Sequence, residues 1–183
     1  LLHSTDYRTT YASNLQKELP RIPRVAMWDD FKAFMDAGRK LSKLHVGYEH
    51  VTLYQGCKIV GLTPQASTRV IKLSYGKNAG KKGNAAKDKT TIHYNDSITI
   101  TDIPLEAQEY VLKRKSALDW VVECCGISID KDSRIVNDYN AFAQEMGDED
   151  YILNLILRVI TVSLETMQIV KALPRLTIHP LDR

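Results

Sequence analysis

Thr90–Ile103 reads TTIHYNDSITITDI. β-Branched and aromatic residues dominate the stretch, and Tyr94-Asn95-Asp96-Ser97 breaks it with residues that favour turns. Two short antiparallel strands joined by a hairpin turn are expected. CKIVGL (57–62) and RVIKLSY (69–75) have the same character and are bounded by Gly, Pro or Asn. The middle of the chain therefore predicts a small, mainly antiparallel sheet.

The flanks are helical in pattern. Ser4 or Thr5 caps a short helix with Tyr7, Tyr11 and Leu15 on one face, stopped by Pro20 and Pro23. A second helix is expected from about Trp28 to Val46, with Phe31, Phe34, Met35, Leu41 and Leu44 mostly on one side. Further helices are expected at 116–123, capped by Lys115 or Ser116, and near 140–146. IDKDSRIVNDYN (129–140) reads as a polar, turn-rich connection. The last helix, Asp150–Leu173, has one polar row, Asn154, Arg158, Thr161, Glu165 and Gln168, and almost everything off that row is apolar. Arg158 and Glu165 in mid-run oppose a membrane span, at about 2.5–3.5 kcal/mol for a central Arg. The helix is expected to be buried on several sides. The fold class is α+β: a small mainly antiparallel sheet flanked by N-terminal helices and a long, largely buried C-terminal helix. Residues 1–50 form a helical linking segment and 51–183 the main domain.

Hydrophobic content of 44% and charged content of 26% are those of a globular chain. Net charge is only +3, so any polyanion signal must come from clustering. Three cysteines, Cys57, Cys124 and Cys125, do not form a disulfide framework and point to a reducing, cytoplasmic compartment. No metal site is expected, because no C-x-x-C pair exists and the histidines are scattered. Asp130–Asp132 fits a turn, since the calcium-loop spacing fails at Arg134. The first residues do not form a signal peptide, and without an initial Met the chain is expected to be part of a longer one. Phosphate-loop, nucleophile-elbow, zinc-protease and dinucleotide motifs are missing, which argues against an autonomous enzyme. No catalytic residue is assigned.

KNAGKKGNAAKDK (77–89) holds five lysines, one acid and no large apolar residue. It reads as a long loop between two strands, either merely solvated or gripping something negative. Lys77, Lys81, Lys82, Lys87 and Lys89 line it, Arg69 and Lys72 lie on the strand before it, and Lys113, Arg114 and Lys115 form a second cluster at the start of a helix. Such cations neutralise phosphates with release of counterions. Arg69, Asn78, Asn84 and Asn95 suit base-edge contacts. His93 reads as a half-buried packing residue, Trp28 and Trp120 as core anchors, and Cys124-Cys125 as core packing.

HSTDYRTTYASNLQKELPRIP (3–23), FKAFMDAGRKLSKLHVGYE (31–49), KDKTTIHYNDSITITDIPLEAQEYVL (87–112), KSALDWVVE (115–123), DKDSRIVND (130–138) and YILNLILRVITVSLETMQIVKALP (151–174) resemble, in order, the region after the methyltransferase core of Type ISP restriction–modification enzymes. The family's chains carry a nuclease, a helicase-like ATPase, an adenine methyltransferase and a C-terminal target-recognition domain. The resemblance implies that this chain is the recognition domain, binding double-stranded DNA. S-Adenosylmethionine, ATP and magnesium would belong to upstream domains, with no cofactor in this one. Its partners would be DNA and the upstream methyltransferase, and no membrane. Three places depart from the family pattern: Lys113-Arg114 stands for Asn-Gly, Cys124-Cys125-Gly126 for a segment with an aromatic, and Tyr139 for Pro. Alternatives are a protein-docking domain built on the Ile152–Val170 face, and a small cryptic nuclease.

Overall fold

The computed structural model describes residues 1–179, except the side chains of Asn84 and Ala85. The chain forms two compact units, Leu1–Gly47 with the segment from Glu165 onward, and Tyr48–Leu164. In the first unit, Ser4 caps α1 (Thr5–Thr10) by accepting the Tyr7 N–H. α1 stops short of Leu15, and looser turns follow. Thr9, Thr10, Ser13 and Asn14 are weak helix formers, so apolar spacing alone does not carry the helix on. Tyr7 is buried, its hydroxyl donating to the Arg21 carbonyl at 2.7 Å. α2 (Trp28–Val46) buries Phe34, Leu41 and Leu44. Trp28 is no core anchor: it is 71% exposed and stacks on Phe31, because it opens the helix and lies away from the face of Phe34 and Leu41.

In the second unit, β1 (Lys58–Val60), β2 (Ser74–Lys77), β3 (Lys87–His93) and β4 (Thr99–Thr101) form an antiparallel sheet in the order β1-β4-β3-β2. The Asn95 turn joins β3 to β4 as expected, its side-chain oxygen accepting the N–H groups of Ser97 and Ile98. Ile92, Ile98 and Ile100 are fully buried. The 310 turn Leu105–Gln108 leads into a hairpin of β5 (Val111–Leu112) and β6 (Lys115–Ser116), then α3 (Ala117–Cys124). A second hairpin, β7 (Ile127–Ile129) with β8 (Val136–Asp138), precedes α4 (Tyr139–Glu145) and α5 (Tyr151–Lys171). Ile152, Ile156 and Ile160 of α5 share one buried cluster with the sheet residues Ile92 and Ile100 and with Leu118 of α3. α5 is long and apolar enough to cross a membrane by length and composition, yet half of that stretch is buried within the protein.

Several expectations change. Residues 69–73 are not a strand. Their backbone groups are taken by distant partners: Asn140 bonds both the N–H and the C=O of Val70, at 2.8 and 2.7 Å, and Ile127 N–H bonds the Ile71 carbonyl. Asn95 and Tyr94 hold the carbonyls of Ser67, Arg69 and Thr68. With those groups satisfied, no ladder forms until Ser74. The 129–140 connection is a hairpin rather than a loop, its tip held by the Asp130 carboxylate, which accepts N–H bonds from Asp132 and Ser133. Those bonds hold the Asp130 pKa below the usual aspartate range. Tyr139 occupies the first position of α4, where Pro is favoured, and Asp138 caps that helix. Cys125 is buried but Cys124 is exposed. His93 is exposed, on the face of β3 opposite Ile92.

Candidate nucleic-acid interface

The lysine-rich stretch is a hairpin tip more than a loop. Lys77 pairs with Lys87 across β2 and β3, so Lys77, Lys87 and Lys89 sit on strands and only 78–86 connect them. Asn78 closes the connection: its N–H bonds the Ala86 carbonyl and its side chain bonds the Lys87 carbonyl. Gly80 and Gly83 take positive φ, which bulkier residues avoid. A 310 turn at Gly83–Ala86 finishes the connection. The side chain of Asn84 lies outside the described residues. The only acid of the stretch, Asp88, is engaged locally: it accepts the hydroxyl and N–H of Thr90, which hold its pKa below the usual aspartate value. It forms no ion pair with a described lysine.

Lys89 roots this hairpin. Its ammonium lies 2.9 Å from the Asp119 carboxylate and 5.6 Å from the Tyr75 ring centre. Asp119 also accepts the Ser116 N–H, while Ser116 accepts the Asp119 N–H, completing a capping box at the start of α3. Burial alone would raise the Asp119 pKa. The Lys89 ammonium and the Ser116 bonds outweigh it and leave the carboxyl below its ordinary range. This brace joins the base of the lysine hairpin to the element that directly follows the second basic cluster.

That second cluster is not the start of a helix but the tip of the β5–β6 hairpin. Lys113 and Arg114 both have positive φ, 50° and 71°, as a two-residue type I′ connection requires. Asn-Gly meets that requirement readily; Lys-Arg does so at a conformational cost of about 1–2 kcal/mol per residue. Replacing Lys113-Arg114 by Asn-Gly is therefore expected to raise unfolding free energy by about 1–3 kcal/mol, read by denaturant titration. The same change removes two cations, so duplex affinity is expected to fall while stability rises.

The predicted residues divide by partner. Lys72, Lys77, Lys81, Lys82, Lys87, Lys113 and Arg114 form no ion pair with any described residue. Lys115 pairs with Glu123 and lies over the Trp120 ring, at 4.9 Å from its centre. Trp120 is thus a partly exposed shelf for a cation, its indole N–H bonded to the Leu112 carbonyl, rather than a core anchor. Arg69 pairs with Asp138 at 2.9 Å. Asn95 spends its side chain on the backbone of 67–69 and of its own turn.

The residues also divide by place. Arg69, Lys72 and Asn95 line an open groove of about 450 Å³ with Ser74 and His93. That groove is at the Ser74–His93 end of the β2–β3 ladder, and the lysine tip is at the Lys77–Lys87 end. Three strand steps, about 10 Å, separate the two. Lys131 and Arg134, near the tip of the β7–β8 hairpin, are further cations without an ion pair among the described residues. Alternation with Asp130 and Asp132 hid them from a search for charge clusters. No group of three or more His, Cys, Asp or Glu side chains among the described residues is arranged to hold a metal.

A family model for the Type ISP C-terminal specificity domain matches residues 1–155. Among solved structures, a nuclease-deletion mutant of the Type ISP restriction–modification enzyme LlaGI, in complex with a DNA substrate mimic, is 39% identical with a TM-score of 0.81. The match covers 97% of this chain and 16% of that one. The ATP-dependent Type ISP enzyme LlaBIII bound to DNA is 35% identical, TM-score 0.81, covering 97% of this chain and 11% of that one. A DrdV–DNA complex is 28% identical, TM-score 0.74, with 97% and 17% covered. This chain thus spans less than a fifth of the length of these proteins. No curated protein matches it. With 155 of its 183 residues matched, the chain belongs to the family of Type ISP C-terminal specificity domains.

Proposed function

We propose that this domain recognises a double-stranded DNA target and delivers it to catalytic domains elsewhere in the parent chain. Lys77, Lys81, Lys82 and Lys87 on one hairpin, and Lys113 and Arg114 on another, fix register on phosphates. The groove holding Arg69, Lys72, Asn95 and His93 reads base edges. Arg69 would release Asp138 to do so, and Asn95 would contribute mainly by shaping the turn. The observation that carries the reading is the set of cations left without carboxylate partners on two short hairpins, in a family whose solved relatives LlaGI and LlaBIII are complexes with a DNA substrate mimic and with DNA.

The parent activities are part of the same proposal. An upstream adenine methyltransferase would take the target base from the stack, with nuclease and helicase-like ATPase domains further upstream. S-Adenosylmethionine, ATP and magnesium would serve those domains, and residues 1–50 would link to the methyltransferase. The compartment would be the cytoplasm.

Salt titration of duplex binding is the test. With four to seven phosphates neutralised, log K should fall with log salt at a slope of roughly −4 to −6. A flat response would remove phosphate gripping from the account.

A further inference from the structure

We propose that a cleft between the Tyr48 turn and α4 is a receptor for a guanidinium group, an arginine side chain carried by another part of the parent polypeptide. The cleft holds about 470 Å³ and is lined by Tyr48, Glu49, Asp138, Tyr139, Phe142 and Tyr151. It goes beyond DNA recognition, and its test is run without DNA, where Arg69 stays on Asp138.

Glu49 is half-buried and accepts two phenol hydroxyls, from Tyr151 at 2.6 Å and from Tyr48 at 3.3 Å. No cation pairs with it among the described residues. Asp138, the other carboxylate of the cleft, is already compensated by Arg69. The cleft therefore carries one negative charge without a counterion. Burial, then the Glu49 bond, push the Tyr151 phenol upward, so it stays a neutral donor to Glu49.

Around that carboxylate, Tyr48, Tyr139 and Phe142 remain 36%, 39% and 42% exposed, while the Phe142 ring meets the buried Tyr151 ring edge-on at 5.2 Å. Aromatic faces attract cations, and the attraction grows when water is partly excluded. A partly desolvated carboxylate adds a charge-assisted hydrogen bond. Of the two protein cations, guanidinium suits better, because it is planar, stacks on rings and forks onto a carboxylate. A phosphate is disfavoured by the same Glu49 charge, so the cleft is not an extension of the basic hairpins. The chain spans less than a fifth of its relatives' length, which leaves most of a parent polypeptide to supply the arginine.

The test uses the 183-residue chain with Nα-acetyl-arginine methylamide as probe and the citrulline analogue as its neutral isostere, read by NMR shifts of the Tyr48, Tyr139 and Phe142 rings. The arginine probe should bind in the millimolar range and citrulline at least about tenfold more weakly, as loss of a charge-assisted contact implies. Glu49→Gln, which still accepts both phenols, should weaken arginine binding by about tenfold, and Phe142→Ala by about threefold or more. Equal binding of the two probes, or of neither, would overturn the proposal without need of any variant. So would deoxyadenosine shifting those rings where arginine does not, which would make the cleft a base-stacking platform.

Discussion

Replacing Lys81, Lys82 and Lys87 together with glutamate is expected to lower duplex affinity about a hundredfold near 0.15 M monovalent salt. Each lost phosphate contact removes about 0.9 from the log–log salt slope, so the slope should become shallower by about 2.7. The difference between variant and parent should narrow as salt rises. Folding should be unaffected, because none of the three ammonium groups pairs with a described carboxylate and the hairpin is anchored elsewhere, at Lys89. The measurement is fluorescence anisotropy on a labelled duplex across a salt series. If the domain worked only through protein contacts, variant and parent would give the same weak curve. If it cleaved DNA itself, magnesium would produce fragments with the unaltered chain.

Asn140→Ala is expected to cost about 2–5 kcal/mol of stability, read by denaturant unfolding. Asn140 is 5% exposed and makes bonds to both backbone groups of Val70, which is itself fully buried. Truncation leaves a buried N–H and C=O without their protein partner, each at about 1–3 kcal/mol. Asn140→Asp should also destabilise, because a carboxylate accepts the Val70 N–H but faces the Val70 carbonyl without a proton to offer it. DNA binding should weaken in both variants beyond the loss of folded protein. Asn140 fixes the segment that presents Arg69 and Lys72 to the groove.

The long periodic elements were legible. α2 and α5 run almost over the predicted residues, because a sustained apolar face leaves little choice of phase. The polar row of α5 behaves as read: Asn154, Arg158 and Thr161 are half-buried, and Glu165 and Gln168 are exposed. The β3–β4 hairpin was legible from Asn95, whose side chain makes its turn locally. The β5–β6 and β7–β8 hairpins were not. Their strands have two or three residues, too few for alternation to register, and Lys113-Arg114 gives no turn signal. Residues 69–73 look like a strand in composition, but Asn140 and Ile127, more than fifty positions away, claim their hydrogen bonds. Charge clustering located the basic stretches yet could not say which members are engaged. Lys89 meets Asp119 and Arg69 meets Asp138 only once the chain is folded. The aromatic cleft at Glu49 left no mark either, since Tyr48, Phe142 and Tyr151 come from three separate regions of the chain.

The tip made by Lys113 and Arg114 hangs from a ribbon four residues long and takes no part in the buried cluster of isoleucines that holds the sheet to α5. Whatever drifts into those two positions over generations is judged by a pair of backbone angles, not by the interior. A lineage can therefore exchange tip side chains, and whatever they touch, while inheriting the same scaffold unchanged.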